Sequence, residues 1–237
     1  PAAFAGEVFR AALKKYDIMI DGSVRSAVVP EALPRLAVIY SPRLGDLVAK
    51  INRHSNNFMA EELALSLGAQ VFGPPGTWEK AHTAISAFLT KLEIAKESYV
   101  LGNASGLHDV NRLSPRQLVQ VLAYMHRQQE IAPEYLSSLA QAAGEGTLQD
   151  RMQNTHGMVR GKTGTLNNAC ALSGYVTSKD RQTLVFSMLV NDYQRPIQEI
   201  WEVQDQLGSM LAELDLRGGS LEEKAISAVG DKSHEPL

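Results

Sequence analysis

The sequence predicts an α+β fold in which helices flank an antiparallel sheet. Three observations carry this prediction. Segments with helical spacing of apolar residues fill the chain up to Ala143. After His156 the character changes to three apolar runs, Met158–Thr165, Ala169–Thr177 and Thr183–Val190, separated by polar turns at Asn167-Asn168 and Ser178–Arg181. A last amphipathic segment, Pro196–Leu214, follows them. Connections this short imply an antiparallel meander, because parallel neighbours need a long crossover. Helices, then a meander, then a closing helix read as one α+β domain.

The elements follow in order. Ala3 to Tyr16 carries Phe4, Val8, Phe9 and Leu13 at helical spacing, with Arg10, Lys14 and Lys15 outside. Asp21-Gly22 marks a turn. Leu36–Tyr40, an apolar run between Pro34 and Pro42, reads as a strand. Arg43 to Arg53 is a helix with Leu44, Leu47, Val48 and Ile51 on one face. A second helix starts near Asn57 and is expected to stop at Gly68, as a C-terminal glycine stops many helices. Gly73-Pro74-Pro75-Gly76 is a loop, and Trp78–Leu92 is helical. Tyr99-Val100-Leu101 reads as a strand running into the loop Gly102–Gly106. Ser114-Pro115 starts the helix Arg116–Arg127, and Pro133–Ala143 reads as a shorter helix. Residues 1–214 are therefore assigned to one domain, and 215–237 to a flexible polar tail without chemistry.

Composition narrows the function. Of 237 residues 44% are hydrophobic, enough for a packed core. The net charge of −3 excludes a strongly basic nucleic-acid footprint, so no nucleic-acid partner is expected. Lone Cys170 has no disulfide partner in the chain, and no Cys/His cluster has ligand spacing, so neither metal nor other cofactor is expected. The longest apolar runs fall far short of the ~20 residues of a membrane helix, so no transmembrane segment is expected. The chain begins Pro1-Ala2-Ala3, with neither Met nor signal peptide, which leads to the expectation that Pro1 lies inside a larger protein. The sequence carries no signal of oligomeric state.

Two short motifs are candidates for chemistry. Ser55-Asn56-Asn57 lies at a helix start, and Lys162-Thr163-Gly164-Thr165 near a strand end. Taken alone, the first reads as a helix cap and the second as an ordinary edge-strand end. In this order and on these elements they match the second and third signatures of the penicillin-binding protein and serine β-lactamase superfamily. The runs His54–Leu63, Ala104-Ser105-Gly106-Leu107 with Asn111–Pro115, Gly146-Thr147-Leu148, Gly161–Leu166 and Leu172–Val176 extend the match. Together they resemble one branch, the D-alanyl-D-alanine carboxypeptidase/endopeptidase group of class C, low-molecular-mass penicillin-binding proteins. The resemblance covers Ala3 to Leu214.

It implies a β-lactamase/transpeptidase-like α+β fold, here an incomplete domain, and a serine-type D-Ala-D-Ala carboxypeptidase, with endopeptidase activity as a further option. The implied partner is a peptidoglycan peptide ending in D-Ala-D-Ala, with β-lactams as inhibitors and the periplasm or cell envelope as location. Such a reaction acylates a serine and then hydrolyses the ester. A serine hydroxyl needs a base, and the leaving nitrogen needs a proton. The resemblance implies that Ser55 relays that proton and that Asn57 holds the substrate amide and the base lysine. It implies that Lys162 supplies positive charge beside the substrate carboxylate, to which Thr163 and Thr165 offer hydroxyls. Gly164 admits a close backbone approach. The Thr165 N–H is implied to form half of the oxyanion hole, and the strand edge to pair with the extended peptide.

The first signature, Ser-x-x-Lys, is missing: no serine in the chain has Lys three residues later. Thr77-Trp78-Glu79-Lys80 is the nearest pattern, on another element and with the wrong residue type. The chain is therefore expected to be the C-terminal portion of such an enzyme, without its nucleophile and inactive by itself. The loop that usually reads Asp-Gly-Ser-Gly-Leu is here Asn103-Ala104-Ser105-Gly106-Leu107, which lacks the carboxylate. Ser105 reads as a loop hydrogen-bonder, Cys170 as a small strand residue, His54 as a surface histidine. A non-catalytic relic that binds peptidoglycan peptide or a protein partner is the alternative. A β-lactamase is the third reading, disfavoured because no Glu-containing deacylation loop is evident.

Overall fold

The computed structural model describes residues 2–28, 30 and 32–217. The part of the expected tail from residue 218 lies outside them. The chain divides between Ser41 and Pro42 into two compact units.

In the first unit, α1 (Ala2–Lys14) forms where the spacing predicts it. No residue of α1 is buried, and Phe4 and Phe9 are 76% and 64% exposed. Arg10 pairs with Glu7 at 2.7 Å and donates to the Gly22 carbonyl at 2.8 Å. The strand expected at Leu36–Tyr40 does not form. A strand is stable only with its N–H and C=O groups paired, and no residue described in this unit is in a strand or bridge with it.

The second unit is an antiparallel sheet between two layers of helices. The helices are α2 (Leu44–His54), α3 (Asn57–Phe72), α4 (Trp78–Lys91), α5 (Pro115–Arg127) and α6 (Ala132–Ser138). The strands β1 (Ala140–Gln141), β2 (Val159–Thr165), β3 (Ala169–Thr177) and β4 (Thr183–Asn191) follow, and α7 (Ile197–Glu213) closes the chain of elements. The sheet order is β1-β2-β3-β4, every neighbour antiparallel.

The starts of the helices are readable from side-chain chemistry. The Thr77 hydroxyl accepts the Lys80 N–H at the start of α4. Ser114 and Gln117 form a reciprocal capping box before α5, with Pro115 in its first turn. Two expectations fail for reasons of packing. Helix α3 does not stop at Gly68 but runs to Phe72, and Gly73 ends it. Gly68 is buried against α4, where an added Cβ would stand 2.8 Å from the Ala81 nitrogen and 3.0 Å from Lys80 Cβ. Its missing side chain is needed for helix–helix approach, and not for termination. The helix expected at Pro133–Ala143 ends at Ser138 instead. Leu139 turns extended (φ −73°, ψ 152°), and Ala140 and Gln141 pair with Gly161 and Arg160 of β2. Sheet pairing outweighs helical propensity there. Tyr99–Leu101 forms only one bridge, Val100 to Arg112.

The two sheet faces differ. On one, Val159, Leu172, Val176 and Phe186 pack with Leu148, Met152 and Ala212 of α7 into a dry core. Cys170 is buried on this face, where Gln204 Nε2 donates to its sulfur at 3.5 Å. On the other face the row Arg160–Tyr175–Val185 is covered at Tyr175 by Leu122 of α5, with Tyr135 and Leu136 of α6. The next rows, Lys162–Ser173–Ser187 and Gly164–Ala171–Leu189, are only half-buried.

Replacing Gly68 by Ala tests the packing argument. Overpacking costs ~1–3 kcal/mol and outweighs the ~1 kcal/mol that Ala gains as a helix former. Urea unfolding of G68A should therefore show a lower midpoint at unchanged slope.

Candidate active site

The site forms where β2 is longer than its outer neighbour. β1 covers β2 only at Arg160 and Gly161, so among the described residues Lys162–Thr165 has no strand on that side. The Ala142 N–H bonds the Val159 carbonyl across this edge, and the Leu166 N–H bonds Ala169 on the opposite side. Alternation along the strand then turns the N–H and C=O of Thr163 and Thr165 outward at the open edge.

Ser55 is brought to this edge by the break between α2 and α3. It takes the left-handed conformation (φ 53°, ψ 48°) as the C-terminal cap residue of α2. Asn56, not Ser55, caps α3: its Oδ1 accepts the Met59 N–H at 3.0 Å. The Ser55 hydroxyl is thereby spared from capping. It accepts instead from Lys162 Nζ at 2.8 Å, across 107 residues of sequence. Lys162 Nζ also donates to the Thr163 carbonyl at 2.7 Å. Burial pushes the Lys162 ammonium below its ordinary value. Asn57, the first residue of α3, is half-buried two residues after Ser55, and its amide takes no part in the Lys162–Ser55 bond.

Across the edge, Thr163 Oγ1 donates to Thr147 Oγ1 at 2.8 Å. The open edge thus has Ser55 on one face of β2 and Thr147 on the other. Thr165 is exposed at its end. An added Cβ at Gly164 would meet only Ala171 Cβ, at an ordinary 3.5 Å. No contact among the described residues demands glycine there, and its missing side chain leaves that face of the strand open.

The described residues contain no group of three or more His, Cys, Asp or Glu able to hold a metal. None of their helices is long and apolar enough to cross a membrane.

A family profile for the D-Ala-D-Ala carboxypeptidase 3 (S13) family matches residues 1–214. The chain belongs to this S13 family. It is 33% identical over 226 residues to a D-alanyl-D-alanine carboxypeptidase of Actinomadura sp. (strain R39), covering 90% of this chain and 40% of that protein. It is 25% identical to the D-alanyl-D-alanine carboxypeptidase DacB of Haemophilus influenzae, covering 81% of this chain and 40% of that one. A crystal structure of penicillin binding protein 4 from Haemophilus influenzae, complexed with a novel β-lactam, is similar with a TM-score of 0.79 at 22% identity. It covers 90% of this chain and 52% of that one. The fold is that of penicillin-binding proteins and β-lactamases, as the motifs imply. The chain spans about 40% of the length of these curated relatives.

Within this S13 chain, sequence reasoning missed Thr147 as a site residue, although Gly146-Thr147-Leu148 was among the matching runs. It also missed Glu61, one helical turn after Asn57. Glu61 accepts the N–H of Ser105 at 2.9 Å and of Ala104 at 3.4 Å. A carboxylate thus meets the Asn103 loop from α3. Asn103 instead braces the loop from within. Its Nδ2 donates to the Leu107 carbonyl at 2.7 Å while its Oδ1 accepts the Gly106 N–H at 2.8 Å. An aspartate could not make the first bond. Asn111 Oδ1 accepts the Gly102 N–H at 2.7 Å and completes the loop. Ser105 is accordingly held through its N–H by Glu61, and its Oγ accepts the Leu107 N–H at 3.5 Å, as a loop residue.

Burial alone would raise the Glu61 carboxyl, but hydrogen bonds from Ser105 and Ala104 outweigh it and hold it below the usual carboxylate range. A carboxyl depressed in the folded state stabilises above its unfolded pKa, and that stabilisation is lost as pH falls through the folded value. E61Q should therefore be less stable than wild type at pH 7, by roughly 1 kcal/mol for charge-assisted bonds made neutral. The gap should close as pH drops below the ordinary glutamate range, read as the difference in Tm across a pH series.

Proposed function

We propose that residues 1–214 are the C-terminal part of the catalytic domain of a serine-type D-Ala-D-Ala carboxypeptidase. It acts on peptidoglycan peptides ending in D-Ala-D-Ala outside the cytoplasm, in the periplasm or cell envelope. β-Lactams inhibit it, and its chemistry uses neither metal nor other cofactor. The observation that carries the reading is the Lys162–Ser55 hydrogen bond at the open end of β2, made between two motifs 107 residues apart.

In this reading the peptide's C-terminal residues pair as a strand with the open edge, meeting the outward groups of Thr163 and Thr165. Lys162, with the Thr163 and Thr165 hydroxyls, receives the terminal carboxylate. The Thr165 N–H is one oxyanion donor, worth ~2.7–4 kcal/mol in comparable enzymes. Lys162 holds the Ser55 hydroxyl by donating to it, so the hydroxyl proton is free to point at the departing D-alanine nitrogen. A lowered Lys162 pKa eases exchange of that proton. Asn57 orients the substrate amide and the base lysine. Gly164 leaves room for the approaching chain.

The nucleophile comes from a Ser-x-x-Lys segment outside these 237 residues. Two observations support this: no serine in the chain has Lys three residues on, and the sheet rows around Lys162 are half-buried, an apolar-to-polar strip suited to a further helix. Endopeptidase activity differs only in the leaving group beyond the scissile bond, and the same residues serve it.

Benzylpenicillin should leave no acyl adduct on the 237-residue chain by intact mass, and a stoichiometric one on the full-length protein. S55A in the full-length protein should slow release of D-alanine from a D-Ala-D-Ala peptide by ~10²–10⁴-fold. An adduct on the 237-residue chain would overturn the placement of the nucleophile. A full-length protein that binds the peptide without releasing D-alanine would establish the relic instead.

A further inference from the structure

A charged layer lies directly behind the site. Arg53, Glu145 and Arg160 stand two residues before Ser55, Thr147 and Lys162. Arg53 Nη1 donates to Glu145 Oε2 at 2.9 Å, and Arg53 Nη2 donates to the Ser137 carbonyl. Arg160 Nη2 donates to Gln141 Oε1 at 2.8 Å. Gln141 also fixes Glu145 through the main chain, its N–H on the Glu145 carbonyl at 3.0 Å and its carbonyl accepting the Glu145 N–H at 3.2 Å.

The backbone shows how closely these segments meet. Gly146, between Glu145 and Thr147, has φ +74°, and an added Cβ would stand 2.7 Å from the Arg53 carbonyl and 3.0 Å from Ala140 Cβ. The last turn of α2 and the turn Gly146–Leu148 are therefore in direct contact. Glu145 is the counter-charge for two guanidiniums. Burial lowers the Arg160 pKa, Glu145 opposes that, and Arg53 reinforces it.

Two hydrogen bonds of the site each join two of these three segments: Lys162–Ser55 joins β2 to the end of α2, and Thr163–Thr147 joins β2 to the turn. Both lie in exposed surroundings, where such bonds hold two segments together only weakly. On the third side of the triangle, α2 to the turn, the backbones pack against each other at Gly146, and the side-chain link among the described residues lies behind the site, between Arg53 and Glu145.

We infer that Arg53 and Glu145 are positioning residues: their ion pair ties the end of α2 to the Gly146–Leu148 turn and so sets where Ser55 and Thr147 stand against Lys162 and Thr163. They act through Ser55 and Thr147. The inference rests on the functional reading above, because it assigns them to that reaction.

The test uses the full-length protein with R53Q, E145Q and R53K. Benzylpenicillin acylation is resolved into the dissociation constant of the first complex and the acylation rate constant. R53Q and E145Q should lower the rate constant by ~10–100-fold, as sub-ångström to 1 Å misplacement does. The dissociation constant should stay within about twofold. Tm should fall by no more than about 4 °C, as for a partly exposed pair. R53K, whose ammonium still reaches Glu145, should recover most of the rate. Crystal structures of wild type and E145Q give a second readout that needs no acylation: the 2.8 Å Ser55–Lys162 separation should open beyond hydrogen-bond range in E145Q. A wild-type protein that is not acylated overturns the functional reading alone. Unchanged separations with rates within about twofold of wild type overturn the positioning role. A loss that R53K does not recover, or one that follows Tm, overturns it as well.

Discussion

The site depends on a difference in strand length. β1 has two residues and β2 has seven, so β2 is an interior strand at Arg160 and Gly161 and an edge strand from Lys162 onward. An unpaired strand edge is normally a hazard, because it presents N–H and C=O groups to any passing chain. On β2 the open edge is confined to four residues, and these are the ones that carry the motif. Lys162 caps one of the outward carbonyls, that of Thr163, with its own ammonium.

The layers on either side of the sheet serve different ends. The α7 face is dry and packed with Val, Leu, Phe and Met side chains, and it holds the strands in register. Arg151, paired with Asp205 at 2.7 Å, fastens α7 to the turn before β2. The opposite face is covered where Tyr175 meets α5 and α6, and it grows more polar and more open toward Lys162. Rigidity on one face allows a polar, partly solvated site on the other. The same division explains why Ser55 can take a left-handed backbone: the helices on either side of it are anchored, α2 by Arg53 and Asn52 to the α6 region and α3 by Gly68 against α4.

Legibility of the sequence varied with the range of the forces involved. The meander β2–β3–β4, the closing helix and the capped start of α5 depend on neighbours within a few residues, and spacing alone located them. Gly68 misled because glycine permits both helix termination and close helix packing, and only the position of Ala81 decides between them. The segment after Pro133 misled because its helical propensity competes with a strand edge that lies about twenty residues further on. Leu36–Tyr40 has the composition of a strand, but a strand requires a partner, which composition does not supply. In the candidate site, Ser55, Asn57 and Lys162–Thr165 stood out as candidates because their order and residue types recur in a known superfamily, and the fold brings Ser55 and Lys162 together. Glu61, Thr147, Arg53 and Glu145 were not, since an isolated Glu, Thr or Arg carries no pattern.

The sequence by itself determined the chemical groups available: a serine, an amide, a lysine, two threonine hydroxyls, and no Ser-x-x-Lys among 237 residues. It also determined that Asn56, with a short polar side chain ahead of an apolar helix, would suit a cap. Only the tertiary structure decided that Asn56 does the capping and leaves the Ser55 hydroxyl to Lys162. It alone decided which edge of β2 is open, and that an ion pair behind the site closes the triangle of segments around it. These depend on contacts across tens to a hundred residues, and such contacts exist only once the sheet and helices have packed.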